Sequence, residues 1–105
     1  MPRLMIVEDE RIIAEDIRRT LISFGYDVVA MASSGERAIE LADEHRPDMI
    51  LMDIMLEGEM KGTEAAEIIH NTIGTPIIFL TAYADSTTLM NAKRTEPFGY
   101  VVKPF

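Results

Sequence analysis

The chain contains no cysteine. That excludes disulfide frameworks, thiolate metal sites and cysteine nucleophiles, and it is in keeping with a reducing, cytoplasmic setting. Positive charge is also scarce: 10 Lys+Arg stand against 18 Asp+Glu, for a formal net charge of -8. Such a surface repels a polyanion, so nucleic acid is not an expected partner, and a basic, phosphate-bearing or cationic one fits better. No apolar stretch reaches the roughly 18 residues needed to cross a bilayer, and "MPRLMIVEDE" turns acidic too early for a signal peptide; no membrane partner is expected. Neither G-x-G-x-x-G nor G-x-x-x-x-G-K-[ST] follows the first apolar run, where "VEDERI" stands instead. Dinucleotide and P-loop readings lose their main support. Repeats, low-complexity tracts and linkers are missing too, which leaves one domain over residues 1–105, with 48% hydrophobic residues to build a core.

Short apolar runs are plentiful. Leu4 to Val7, Met49 to Met52, Pro76 to Leu80 and Tyr100 to Val102 stand out, with Asp27 to Ala32 as a weaker fifth. Runs of this length without alternation are the mark of strands buried on both faces of a parallel sheet. Helical patterns lie between them. Over Arg11 to Phe24, the residues Ile13, Ile17, Leu21 and Phe24 recur at helical spacing while Arg11, Glu15, Arg18 and Arg19 are free to face water, and Gly25 is a suitable stop. Glu36 to Glu44 places Ile39 and Ala42 on one side; Gly62 to Thr72 groups Ala65, Ile68, Ile69 and Thr72; Ser86 to Thr95 is a shorter candidate closed by Pro97. The order βαβαβαβαβ implies right-handed crossovers and a doubly wound three-layer α/β fold. The chain stops at "VVKPF", so the expectation is a five-stranded sheet whose fifth helix is missing, through truncation or because another chain supplies the cover.

In open α/β sheets ligands bind outside the carboxyl ends of the strands, where strand order reverses. Glu8 and Asp9 follow the first expected strand, Asp53 follows the third, Thr81 and Ala82 stand at the end of the fourth, and Lys103 follows the fifth. Each has an ordinary alternative: helix capping for the acidic pair, a loop carboxylate for Asp53, a turn hydroxyl for Thr81, a solvated charge for Lys103. Their joint placement at four strand ends favours one site. Three carboxylates close together repel, so the site calls for a divalent cation, and hard oxygen ligands in a small site select Mg²⁺. His45 and His70 lack a Ser or Cys partner and read as solvated residues on polar helix faces; the eight methionines read as core filling.

With these residues in place, the sequence resembles the receiver domain of two-component response regulators. The resemblance covers the whole chain and is carried by "IVEDE", "LMDIM", "FLTAYAD" and "FGYVVKPF". It implies a flavodoxin-like sheet of order 2-1-3-4-5. It also implies that Asp53 accepts a phosphoryl group from a histidine kinase, a phosphotransfer protein or a small phosphodonor. Glu8, Asp9, Asp53 and the main-chain carbonyl of Met55 would surround Mg²⁺. Lys103 and Thr81 would contact phosphoryl oxygens, and the small Ala82 would leave room for the group. Thr81 and Tyr100 would form the switch, with a downstream protein or a second copy meeting the fourth helix and fifth strand. Lys103–Pro104 resembles the family's cis peptide, and Met55 and Tyr83 would flank the hydrolytic water and slow the loss of phosphate.

The family often has a proline four residues after the aspartate and a glycine eight after; here Glu57 holds the first place and Gly62 stands nine on, so "LEGEMKG" carries one extra residue. Two rival readings share features with this one. A haloacid-dehalogenase-type phosphatase also uses a strand-end aspartate and Mg²⁺, but its D-x-D pattern needs an acid where Met55 stands. A pseudo-receiver would keep the fold without taking phosphate, and the intact set of polar residues argues against it. The expectation is a signalling module, not a turnover enzyme.

Overall fold

Apolar runs too short for helices and too continuous for an exposed sheet become the inner strands. The computed structural model describes residues 2–54, 56, 59–81 and 99–102, with Thr81 and 99–102 described in their backbone alone. Its elements are β1 (Arg3–Val7), α1 (Arg11–Ser23), β2 (Asp27–Ala32), α2 (Gly35–His45), β3 (Met49–Asp53), α3 (Gly62–Ile73), β4 (Ile77–Thr81) and β5 (Gly99–Val102). The strands form one parallel sheet in the order β2-β1-β3-β4-β5. This is the doubly wound α/β architecture expected from the sequence. The expected helix at Ser86 to Thr95 falls outside the described residues.

Alternation along the strands sends side chains to two faces. Met5, Val7, Ile50, Met52, Ile77 and Phe79 pack with Ala38, Leu41 and Ala42 of α2 and Ala65, Ala66 and Ile69 of α3. Ile6 and Leu80 point the other way and pack with Ile17 of α1, with Ile13, Leu21, Val28 and Leu51 partly buried around them. β2 is the edge strand beside β1, and its residues are mostly half-buried or exposed, which explains its weaker apolar signature. Met31 on this strand is exposed, so it does not fill the core as the methionines were expected to.

The helix boundaries have local causes. Ser34 caps α2 by accepting from the Arg37 N–H at 3.2 Å. At the other end of α2, Arg46 takes a left-handed φ of 48°, while the Arg3 guanidinium donates to the carbonyls of His45 and Arg46 at 2.8 and 3.1 Å. The Arg3 N–H also donates to Asp48 at 2.7 Å. These bonds tie the start of β1 to the α2–β3 turn and satisfy orphan carbonyls of the helix. α3 ends at Gly74, whose φ of 71° suits glycine.

Phe24 corrects the amphipathic reading of the first helix. It continues the Ile17–Leu21 spacing, yet it is 72% exposed, because α1 ends at Ser23 and Phe24 is its C-cap. A similar correction applies to α3, where Ala65 and Ile69 are buried but Ile68 and Thr72 are exposed. His45 and His70 are half-buried and not fully solvated, and His70 has an interacting partner. Among the described residues, no helix is long and apolar enough to cross a membrane.

Candidate functional site

Register places the acidic residues together. Val7 pairs with Met52 across the β1–β3 ladder, so the next residue on each strand, Glu8 and Asp53, emerges side by side at the carboxyl end. Strand order reverses between β1 and β3, which makes this crevice the topological switch point. Asp53 also pairs with Leu80 on β4, and Thr81 pairs with Val102 on β5. Four strands therefore end around one place.

Each of Glu8, Asp9 and Asp53 offers a carboxylate oxygen, and these three atoms lie within 4.8 Å of one another. Glu8 is 3% exposed and Asp53 5%, while Asp9 is half-buried. The Glu8 N–H donates to the Ala32 carbonyl at 3.0 Å, which fixes the turn out of β1 against the end of β2. Its carboxylate accepts from the Glu10 N–H at 3.3 Å. The N-cap of α1 is Glu10, whose side chain makes no cap bond. The capping alternative thus loses ground: Glu8 and Asp9 precede the cap position, and their carboxylates gather with that of Asp53.

The donor chemistry fits a small hard cation. Octahedral Mg²⁺ at about 2.0–2.1 Å from its ligands places their oxygens about 3 Å apart in adjacent positions and about 4 Å apart in opposite ones. A triangle of oxygens within 4.8 Å reaches those spacings with small side-chain adjustments. Among the described residues, Glu8, Asp9 and Asp53 are the group that could hold such an ion. An open cavity of about 490 Å³ adjoins Glu8 on the α1 and β2 side, lined also by Arg11, Glu15 and Ser33.

The backbone around Asp53 is tied down on both sides. Its neighbours Met52 and Ile54 are buried, and the Ile54 N–H donates to the Leu80 carbonyl at 3.1 Å, extending the β3–β4 ladder past the aspartate. Gly62, at the start of α3, closes the loop by donating its N–H to the Ile54 carbonyl at 3.2 Å. A Cβ on Gly62 would stand 2.2 Å from the Asp53 carbonyl oxygen and 3.0 Å from that of Ile54. Only glycine permits this approach, whatever the number of residues in between. The sequence shows Gly62 displaced by one position, but its contact with Asp53 has no signal there. The contact of Gly35 with Met60, where a Cβ would lie 2.9 Å from Met60 Cγ, was missed altogether.

The structure thus brings together Glu8, Asp9 and Asp53. Thr81 and Tyr100 are placed by their backbone on β4 and β5. Met55, Glu57, Ala82, Tyr83, Lys103 and Pro104 lie outside the described residues, and with them the expected metal carbonyl, phosphate lysine and cis peptide.

Comparison with known proteins agrees with this geometry. The family model described as "Response regulator receiver domain" matches residues 4–105. The transcriptional regulatory protein PdtaR of Mycobacterium tuberculosis is 36% identical over 103 residues, covering 98% of this chain and 50% of that protein. The phyllosphere-induced regulator PhyR of Methylorubrum extorquens is 34% identical over 103 residues, covering 97% of this chain and 38% of that protein. The chain therefore spans half or less of the length of these curated relatives. Among solved structures, the signal receiver domain of a modulated diguanylate cyclase from Desulfovibrio desulfuricans G20 superposes with a TM-score of 0.93 at 44% identity, covering 99% of this chain and 82% of that one. The chemotaxis protein CheY4 of Vibrio cholerae gives 0.90 at 29% identity, covering 100% and 88%. Sheet order, acidic crevice and relatives lead to one placement: this chain belongs to the response regulator receiver domain family of two-component signalling systems.

Proposed function

We propose that the chain is a phosphoacceptor switch that takes a phosphoryl group on Asp53 and changes a protein-binding surface in response. The observation that carries this reading is the meeting of Glu8, Asp9 and Asp53 within 4.8 Å at the switch point, with Asp53 buried at the end of a rigid central strand. A carboxylate is a weak nucleophile, so positioning must supply much of the acceleration.

In the reaction, an Asp53 carboxylate oxygen attacks phosphorus in line with the leaving group. A P–O bond forms to Asp53, and the P–N bond to a kinase phosphohistidine breaks, returning neutral imidazole after protonation. With acetyl phosphate the bond that breaks is P–O, and acetate leaves. Glu8, Asp9 and Asp53, with the Met55 carbonyl as a further ligand, would hold Mg²⁺, and a cation there would supply charge neutralisation to the transferring oxygens. Glu8 and Asp9 hold their oxygens beside Asp53, and the ladder of β3 with β4 keeps the nucleophile from turning away.

Lys103 and Thr81 serve the phosphoryl oxygens, and Ala82 provides space beside them. Once phosphate is present, Thr81 moves toward it and Tyr100 follows, altering the surface beside the fifth strand. A sensor histidine kinase or phosphotransfer protein is the donor, and a downstream protein or a second copy reads the surface. The chemistry is confined to the chain's own aspartate, gained by transfer and lost by slow hydrolysis, in the cytoplasm. Relatives with names as different as a transcriptional regulatory protein and a diguanylate cyclase receiver support a module whose switch is separable from its output.

Intact-mass spectrometry after incubation with acetyl phosphate, with and without Mg²⁺, tests the reading. A single Mg²⁺-dependent adduct in the wild type that is lost in Asp53→Asn is the expected result. No adduct in a chain that circular dichroism shows to be folded would identify a pseudo-receiver.

A further inference from the structure

Gly62 is buried and opens α3, yet nothing in its own conformation asks for glycine. It is not among the glycines with positive φ, and helix propensity favours alanine over glycine. The reason lies in the peptide that joins Asp53 to Ile54. An added Cβ would stand 2.2 Å from the Asp53 carbonyl oxygen, 3.1 Å from its carbonyl carbon and 3.0 Å from the Ile54 carbonyl oxygen. All three atoms are main chain, so no side chain can swing aside to make room. Carbon and oxygen rest at roughly 3.3–3.6 Å, and relief therefore takes a main-chain movement of about 1 Å.

Which side yields follows from how each is held. α3 is locked in the core by Ala65, Ala66 and Ile69, all at most 1% exposed, and its Gly62 N–H is bonded to the Ile54 carbonyl at 3.2 Å. Close-packed interiors of this kind do not give way cheaply. β3 is paired with β1 only as far as Met52, while its register with β4 runs on to Asp53. The Asp53–Ile54 peptide thus lies past the stretch paired on both sides, and it is the softer partner. The Asp53 Cα bears both the carbonyl that faces Gly62 and the side chain that meets Glu8 and Asp9. Turning the peptide turns the carboxylate.

We propose that Gly62 is a positioning residue for Asp53: by letting the first turn of α3 lie directly on the Asp53 main chain, it fixes the direction of the carboxylate and so the affinity of the acidic cluster for Mg²⁺. The role needs no ligand atom from Gly62. Groups that orient the ligands of a metal without touching it change its affinity about 10–100-fold. The proposal rests on the reading of Glu8, Asp9 and Asp53 as the Mg²⁺ site.

The test is isothermal titration of the full chain with Mg²⁺ alone, paired with amide hydrogen exchange. Gly62→Ala is expected to weaken binding about tenfold or more. Gly35→Ala is the matched control: it also adds a Cβ at the buried first residue of a helix, but 2.9 Å from Cγ of the Met60 side chain and not against Asp53. It should keep the wild-type affinity. Wild-type affinity in a Gly62→Ala chain that circular dichroism shows to be folded overturns the proposal. So does an equal loss in folded Gly35→Ala, which would mark general loosening. The exchange arm needs no variant, because coupling is reciprocal. Mg²⁺ should slow exchange at the Gly62 amide of the wild type and leave unchanged that of Arg37, whose N–H is bonded in the first turn of α2. Equal slowing at both amides, or none at Gly62, in a chain that binds Mg²⁺ overturns the proposal. A wild type that binds no Mg²⁺ overturns the metal reading and the proposal with it, whereas the other failures leave the metal reading standing.

Discussion

On one face of the sheet, Met5, Val7, Ile50, Met52 and Phe79 disappear beneath α2 and α3; on the other, Ile6 and Leu80 meet Ile17 of α1, the one described helix on that side. The first face also holds Leu56, with Met60 packed against it. The second leaves Leu51 and Val28 partly buried. Support for the acidic crevice thus comes mostly from the side with α2 and α3, and the α1 side contributes the turn that carries Glu8 and Asp9.

Mutations should separate the faces. Phe79→Ala, which empties the larger core, is expected to cost about 3–5 kcal/mol in urea unfolding, while Ile17→Ala, on the thinner face, should cost about 2 kcal/mol because its surroundings can close in. Equal losses at the two sites would erase the distinction. Asp53→Asn removes one of three clustered carboxylates and should raise stability in EDTA by about 1 kcal/mol, the scale of coupling between contacting groups. Added Mg²⁺ should then stabilise the wild type and not the variant; thermal unfolding in both buffers checks the reversal.

Smaller effects are expected where the surface is open. Phe24→Ala should change stability by less than about 0.5 kcal/mol, since Phe24 contributes little to the face it was expected to cover. A loss of more than 1 kcal/mol would show that the α1 side is better packed than described. The smallest effect concerns Glu15, whose carboxyl is held below its ordinary value of 4.5, first by the hydrogen bond from Arg18 and then by the charges of Arg18 and Arg19. A lowered carboxyl pKa contributes stability above the ordinary value and loses it as pH falls through the folded one. Glu15→Gln should therefore flatten the stability profile below about pH 4.5, and high salt should do the same to the wild type.

Much of this architecture was legible in the residues. The runs Leu4 to Val7, Met49 to Met52 and Pro76 to Leu80 correspond to β1, β3 and β4 because a strand buried on both faces needs no polar alternation. The acidic crevice followed from the rule that sites form beyond strand ends, applied to Glu8, Asp9 and Asp53. Phe24 misled because helical spacing continues in the sequence past the point where the helix stops. The contacts of Gly62 with Asp53 and of Gly35 with Met60 were not legible, since they join residues without a shared period. The same holds for Arg3, whose bonds to His45, Arg46 and Asp48 cross more than forty positions.

Gly62 also decides how the chain aligns with its relatives. Counted along the backbone from Asp53, it stands one place later than the usual receiver glycine; measured through space, it touches the Asp53 carbonyl. Lengthening a loop whose ends are fixed adds little entropic cost, about 0.6 kcal/mol for each doubling. Receivers built this way are free to vary the outline beside the aspartate while the strand-end carboxylate stays where it is.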